Sequence, residues 1–217
     1  MLSKKRFALS MLLIALLAFS GAAVAYNEAP MLAERVAAGE LPPVEERLPV
    51  DPVVVPVYEE IGQYGGTWNR LLLGLGDYWG MPRIMGENYY MWDKDVQLMA
   101  NLAANYELNE DATEMTLYLR EGVRWSDGHP FTADDVLFFF NDILRYSPDP
   151  DEPVTFTAAD MFNNNTEITK VDDYTVHFVF DRPVPNIQRG YLTTPSGMEI
   201  VPSHYLKQFH PRYMDDV

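Results

Sequence analysis

The side chains that could do chemistry are a group of carboxylates, a set of imidazoles and a run of aromatic rings. Asp127, Asp134 and Asp135 stand close together in the chain. Acid–base catalysis and glycoside hydrolysis both need paired carboxylates at a defined separation. Each of these three also has a structural use. Asp127 sits in Ser126-Asp127-Gly128, a turn in which the aspartate bonds nearby backbone and the glycine takes positive φ. Thr132 precedes the other two and predicts a helix start, accepting from the backbone N–H of Asp135. Asp134 and Asp135 then fall in the first turn, where the helix dipole favours negative charge. These structural roles outweigh catalysis.

His129, His177, His204 and His210 are scattered. Neither a zinc site nor a Ser-His-Asp triad can be assembled from local sequence. Cysteine is absent, which excludes thiolate metal sites and a disulfide framework. Ser147 to Pro153 is acidic but lacks the spacing and glycine of a calcium loop. Gly65-Gly66-Thr67 lacks the lysine of a phosphate loop, and Trp79 stands where GxGxxG would place its third glycine. No cofactor and no metal are predicted.

Aromatic side chains make up 13% of the chain. Tyr78, Trp79, Tyr89, Tyr90 and Trp92 sit in loop-like sequence rather than on a periodic core face. They are the rings expected to line or approach a binding cleft. The alternative for each is padding of a core or a lobe interface.

The elements that must position these groups are legible in part. Met31 to Ala38 reads as a short helix, with Pro30 at its start and Gly39 closing it. Pro42, Pro43, Pro49, Pro52 and Pro56 make Leu41 to Val57 extended surface chain or flexible linker, with Val53 to Val55 a possible sheet edge. Gly65 to Leu73 reads as a first core strand. Val96 to Tyr106 fits a short helix or an irregular apolar run. Met115 to Arg120 alternates apolar and polar residues, the period of a half-buried strand. Trp125 is expected to plug the core. Val136, Phe139 or Phe140, and Ile143 form the stripe that buries the helix after Thr132. Thr166 to Val171 and Tyr174 to Phe180 read as a hairpin around Asp172-Asp173, with Val176, Phe178 and Phe180 sharing one face. His204 is read as a structural residue at a helix start.

Lys4, Lys5 and Arg6, then the apolar run Phe7 to Phe19, then Ala23-Val24-Ala25, follow the layout of a secretory signal peptide. Residues 1–25 are therefore expected to be removed, leaving a periplasmic or secreted protein without a lipid-anchor cysteine. The chain carries 16 Lys and Arg against 32 Asp and Glu. A body this acidic repels phosphate backbones and anionic membrane surfaces, so no nucleic-acid partner is predicted.

The block Leu117 to Ile143, reading LYLREGVRWSDGHPFTADDVLFFFNDI, resembles the signature segment of the extracellular solute-binding proteins of ABC importers, family 5. That family takes up oligopeptides, dipeptides, nickel and some oligosaccharides. Asn101 to Glu107 and Ile200 to Leu206 resemble two further segments of it. The resemblance implies a mixed α/β, periplasmic-binding-protein-like fold of two lobes closing on a ligand, like a clamshell. It implies a chain holding only the amino-terminal lobe and its extra subdomain, with the second lobe missing. The domains expected are the signal peptide at 1–25, a Pro-rich leader at 26–61, core-lobe parts at 62–80 and 186–217, and an inserted subdomain at 81–185.

The function implied is capture of an oligopeptide or oligosaccharide outside the inner membrane, by a monomer that delivers it to an ABC permease and catalyses nothing. The alternative is a secreted, glycosidase-like hydrolase of polymers, for which no carboxylate pair is singled out. A cell-envelope interaction module without a small ligand is a third class.

Overall fold

The computed structural model describes residues 26–67, 69, 71, 73–74, 86–149, 151–155, 162–194 and 199–214. The expected signal peptide lies outside the described residues. Among the described residues no helix is long and apolar enough to cross a membrane. The chain divides into two compact units, one up to Arg47 and one from Leu48 onward.

The first unit holds α1 (Pro30–Ala37) and α2 (Val44–Arg47). Pro30 stands in the first turn of α1, where its missing N–H is no loss. Gly39 follows at φ 73, a conformation that favours glycine. The helical turn α2 corrects the expectation of uniformly extended chain from Leu41 to Val57. Pro43, just before it, has a φ already suited to helix entry, and Glu45 and Glu46 fall in its first turn.

The second unit is built on antiparallel strands. Strand β1 (Tyr90–Trp92) pairs with β2 (Leu98–Ala100) as a small hairpin. A four-stranded sheet joins β3 (Ala103–Leu108), β4 (Glu114–Leu119), β5 (Glu167–Asp172) and β6 (Thr175–Val179) in the order β3-β4-β6-β5. Helix α3 (Ala133–Phe138) runs on into a π-helical turn at Phe139–Leu144. A second π-helical turn covers Gln188–Leu192, and α4 (Ser203–Leu206) ends in a 3-10 turn at Lys207–Phe209.

Alternation explains the sheet. Met115, Leu117 and Leu119 of β4 point inward, as do Val176, Phe178 and Phe180 along β6 and just beyond it. The register sets Met115 against Phe178 and Leu117 against Val176. Phe140 from the π-helical turn meets Phe178 with ring centroids 5.8 Å apart and Phe162 at 4.7 Å. Full burial of each such side chain stabilises by roughly 1.5–3 kcal/mol. The expected strand at Met115 to Arg120 and the hairpin around Asp172-Asp173 are therefore both present.

Other expectations are corrected. Val96 to Tyr106 holds β2 and the start of β3 rather than a helix. Pairing with β1 and β4 overrides the helical preference of Ala100 and Ala103. Tyr89 to Asp93 is likewise no loop throughout, since Tyr90–Trp92 is a strand. Of the expected strand Gly65 to Leu73, Trp68, Arg70 and Leu72 lie outside the described residues. The other positions are not in a strand, and Leu71 and Leu73 are exposed. Val53 to Val55 forms no strand either. Ile143 is 40% exposed. The π-helical turn has i→i+5 bonding, so the 3.6-residue stripe that begins at Val136 loses its phase there.

The loop between β1 and β2 contains a strained residue. Asp93 organises it, its Oδ1 accepting from the N–H of Asp95 at 2.9 Å and of Gln97 at 2.7 Å. Val96 is 66% exposed and adopts φ 58, which crowds a β-branched side chain against its own backbone. Asparagine tolerates this region, and little packing is lost at so exposed a site. Val96→Asn is expected to raise stability by about 1 kcal/mol, read as a higher urea midpoint with unchanged slope; a lower midpoint would contradict the strain.

Candidate functional site

The signature block folds around one buried carboxylate. Val123 to Phe131 forms a tight loop in which the Trp125 N–H donates to the His129 carbonyl at 2.8 Å and the Phe131 N–H to Val123 at 2.9 Å. Gly128 closes the turn at φ 89, and Asp127 Oδ1 accepts from the His129 N–H at 2.9 Å. The turn thus has the chemistry read from Ser126-Asp127-Gly128. Thr132 caps α3 in a reciprocal arrangement. Its hydroxyl accepts from the Asp134 N–H at 3.3 Å, and Asp135 Oδ2 accepts from the Thr132 N–H at 3.0 Å.

Asp135 is 2% exposed. Beyond the cap, its Oδ2 accepts from the Trp125 indole Nε1 at 3.1 Å and its Oδ1 from the Ser203 N–H at 2.8 Å. Its bonds therefore join the Trp loop, the helix start and α4. Trp125 lies against the core as expected, edge to face with Phe131 at 5.9 Å. Asp134 is exposed and takes Lys170 Nζ at 2.9 Å, while Lys170 also reaches Asp173 at 2.7 Å. These two carboxylates hold the Lys170 ammonium above its usual pKa, Asp173 contributing first. The Ala133 N–H donates to the Asp173 carbonyl at 2.8 Å, so the start of α3 is pinned to the β5–β6 turn.

Asp127 has a partner that local sequence could not show. His204 Nε2 of α4 stands 2.7 Å from Asp127 Oδ2. The His204 ring stacks on His129 with centroids 3.9 Å apart and planes within 7°. The Asp127 carboxyl is held below its usual range, first by the His204 hydrogen bond and then by the His129 N–H. Asp127 and Asp134 are exposed and Asp135 is buried, each with its own structural partners. Among the described residues no group of three or more His, Asp or Glu side chains is arranged to hold a metal ion.

The aromatic candidates separate. Tyr78 and Trp79 lie outside the described residues. Tyr89 is 1% exposed and Tyr90 is also buried, both within the core. Tyr90 meets Tyr106 edge to face at 5.3 Å. Burial, and next the Asp135 charge, push the Tyr89 phenol far above its ordinary pKa. The Tyr90 phenol is pushed up to about 12, chiefly by burial. Both phenols therefore stay protonated at neutral pH. Trp92, at the end of β1, is 40% exposed. Of the five rings, it is the described one with a face open to a solute.

Replacing Asp135 leaves one buried donor at Ser203 and two half-buried donors at Trp125 and Thr132 unsatisfied. Asp135→Ala is expected to destabilise by about 3 kcal/mol or more, measured by chemical denaturation; a loss under about 0.5 kcal/mol would show that the three bonds are incidental. Asp127 predicts a pH dependence. Its carboxyl is depressed in the folded state, so its contribution is present above the unfolded value of about 3.9 and lost as pH falls through the folded value. Asp127→Asn is expected to melt below wild type at pH 7, the gap closing in acid; a gap that stays constant below about pH 3 would contradict this linkage.

Comparison with known proteins places this geometry. Residues 97–215 match the family described as bacterial extracellular solute-binding proteins, family 5 Middle. The periplasmic alpha-galactoside-binding protein of Rhizobium meliloti is 32% identical over 213 residues, which is 87% of this chain and 30% of that protein. A solved oligopeptide-binding protein superposes with TM-score 0.75 at 38% identity, covering 91% of this chain and 30% of its own. The periplasmic binding protein MelB of Agrobacterium fabrum, solved in complex with stachyose, superposes with TM-score 0.62 at 31% identity, covering 89% of this chain and 32% of its own. The chain thus spans about a third of the length of these relatives. The mixed helix-and-sheet fold is that of periplasmic binding proteins. With its signature block folded as a scaffold and matched along more than half of its length, the chain belongs to the bacterial extracellular solute-binding proteins of family 5.

Proposed function

We propose that this chain is part of the solute-capturing protein of an ABC importer, and that its solute is an oligosaccharide or an oligopeptide. The likeness that carries the reading runs over most of the chain: 32% identity to an alpha-galactoside-binding protein and 38% to an oligopeptide-binding protein. Capture takes place outside the inner membrane after removal of residues 1–25, and a monomer hands the solute to a permease. Residues 62–80 and 186–217 belong to a core lobe and 81–185 to an inserted subdomain. Closure of two lobes on the solute then couples capture to delivery.

No chemical step is part of this reading. A hydrolase needs two carboxylates facing one substrate. Asp127, Asp134 and Asp135 are instead occupied by His204, Lys170 and the Trp125–Thr132–Ser203 donors. Recognition falls to open aromatic faces and a few polar contacts. Trp92 is the described candidate, with Tyr78 and Trp79 beside it in the proposal. An indole face suits the apolar face of a sugar ring or a peptide side chain.

Titration calorimetry of the full-length protein against raffinose-type galactosides and against short peptides separates the two solute classes. The expected result is saturable binding of one class, weakened about tenfold by Trp92→Ala with little change in melting temperature. Binding of both classes unchanged by Trp92→Ala would remove that residue from the site. Turnover of either solute, without retention of it, would overturn the capture reading.

A further inference from the structure

We infer, resting on the solute-capture reading, that Val96 at the tip of the β1–β2 hairpin touches the bound solute alongside Trp92. Among the described residues two non-glycine positions adopt positive φ, Ala112 at 53 and Val96 at 58. Packing accounts for the first. Ala112 is 7% exposed, its N–H donates to the Asn109 carbonyl at 3.0 Å, and its own carbonyl accepts from the Val184 N–H at 2.7 Å. A lone methyl group also crowds its backbone less than a β-branched side chain does.

Packing does not account for Val96, whose side chain is mostly exposed. The loop is closed by bonds that any residue at this position except proline could keep. The Val96 N–H donates to the Asp93 carbonyl at 3.1 Å, the Asp93 N–H donates to the Gln97 carbonyl at 2.9 Å, and Asp93 Oδ1 accepts from the Asp95 and Gln97 amides. Glycine or asparagine would retain all of these at less steric cost. A strained β-branched residue that gains so little packing is placed for a contact outside the described chain. Strain of this kind collects at ligand clamps.

The chemistry of the tip suits a small solute with an apolar face. Trp92 ends β1 directly before Asp93, where the loop closes, and its indole is partly open. Lys94 and Asp95 neutralise each other at 2.6 Å. One indole and one isopropyl group therefore remain as the contact. A stable protein interface buries roughly 800 Å² on each partner, more than these two side chains can supply. The C–H face of a sugar ring or an aliphatic peptide side chain matches them. The Asp93 bonds hold both groups on one closed loop, so little ordering is lost when the solute arrives.

Titration calorimetry of the full-length protein with stachyose and with trialanine, beside urea unfolding, tests this. Val96→Asn and Val96→Gly are expected to bind whichever solute wild type retains about fivefold more weakly, while the Val96→Asn urea midpoint stays at or above that of wild type. Val96→Leu keeps an apolar side chain and is expected to bind within about twofold of wild type. A merely structural valine would move stability without moving affinity. Unchanged affinity in Val96→Asn and Val96→Gly would overturn the contact and leave the capture reading standing. So would an equal loss in Val96→Leu, which would trace the effect to loop geometry. Retention of neither solute by wild type would overturn the capture reading and the Val96 contact with it.

Discussion

The buried carboxylate of Asp135 is the constraint on which the signature block depends. It is almost wholly removed from water, and a charge in that position must be met by donors or destabilise the fold. Three donors meet it, from the Trp125 indole, the Thr132 amide and the Ser203 amide. The first two fix how the Trp loop runs into α3. The third fastens a segment 68 positions along the chain. A loop, a helix and the later α4 thus share one acceptor.

The same economy appears at the other end of α3. Asp142 in the π-helical turn is buried, and it accepts from Arg212 and from the Tyr213 hydroxyl at 3.0 Å. Arg212 also lies over the Tyr146 ring at 5.4 Å. The helical segment therefore carries a carboxylate tie near each end, both reaching the region after residue 202. Between the ties, Val136, Phe139 and Phe140 fill the space above Val176 and Phe178. On the opposite flank, Arg120 Nε donates to the Asn101 carbonyl at 2.7 Å, and its Nη1 reaches the Asp51 carbonyl. A Cβ on Gly122 would lie 3.0 Å from the Val50 nitrogen, so glycine there lets the 49–51 segment lie close.

What local physics dictates was legible in the sequence. The Ser126-Asp127-Gly128 turn, the Thr132 cap, the β4 alternation and the β5–β6 hairpin each follow from residues within a few positions of one another. What depends on distant partners was not. Asp127 meets His204, and Asp135 meets Ser203, across 77 and 68 positions, and no spacing rule reports such a pair. A regular helix would set Ile143 on the buried stripe, and the π-helical turn breaks that phase. Val96 to Tyr106 fits a short helix or an irregular apolar run on its own, yet pairing with β1 and β4 makes strands within it. The aromatic run shows the same limit: Tyr89, Tyr90 and Trp92 read alike in sequence, and packing buries two of them and leaves the third open. A receptor's cleft is defined by which rings remain uncovered, and only packing decides that.

The Asp135 carboxylate is a structural acceptor for three donors rather than a reactive group. Native-state exchange of the Ser203 amide and of the Trp125 indole N–H reads this directly, since each donates to that carboxylate. Both protons are expected to exchange only through global unfolding, with the same opening free energy as the amides of β4 and β6. Fast exchange of both in a folded chain would contradict it, and the block would then have to be seen as an open site instead of a scaffold.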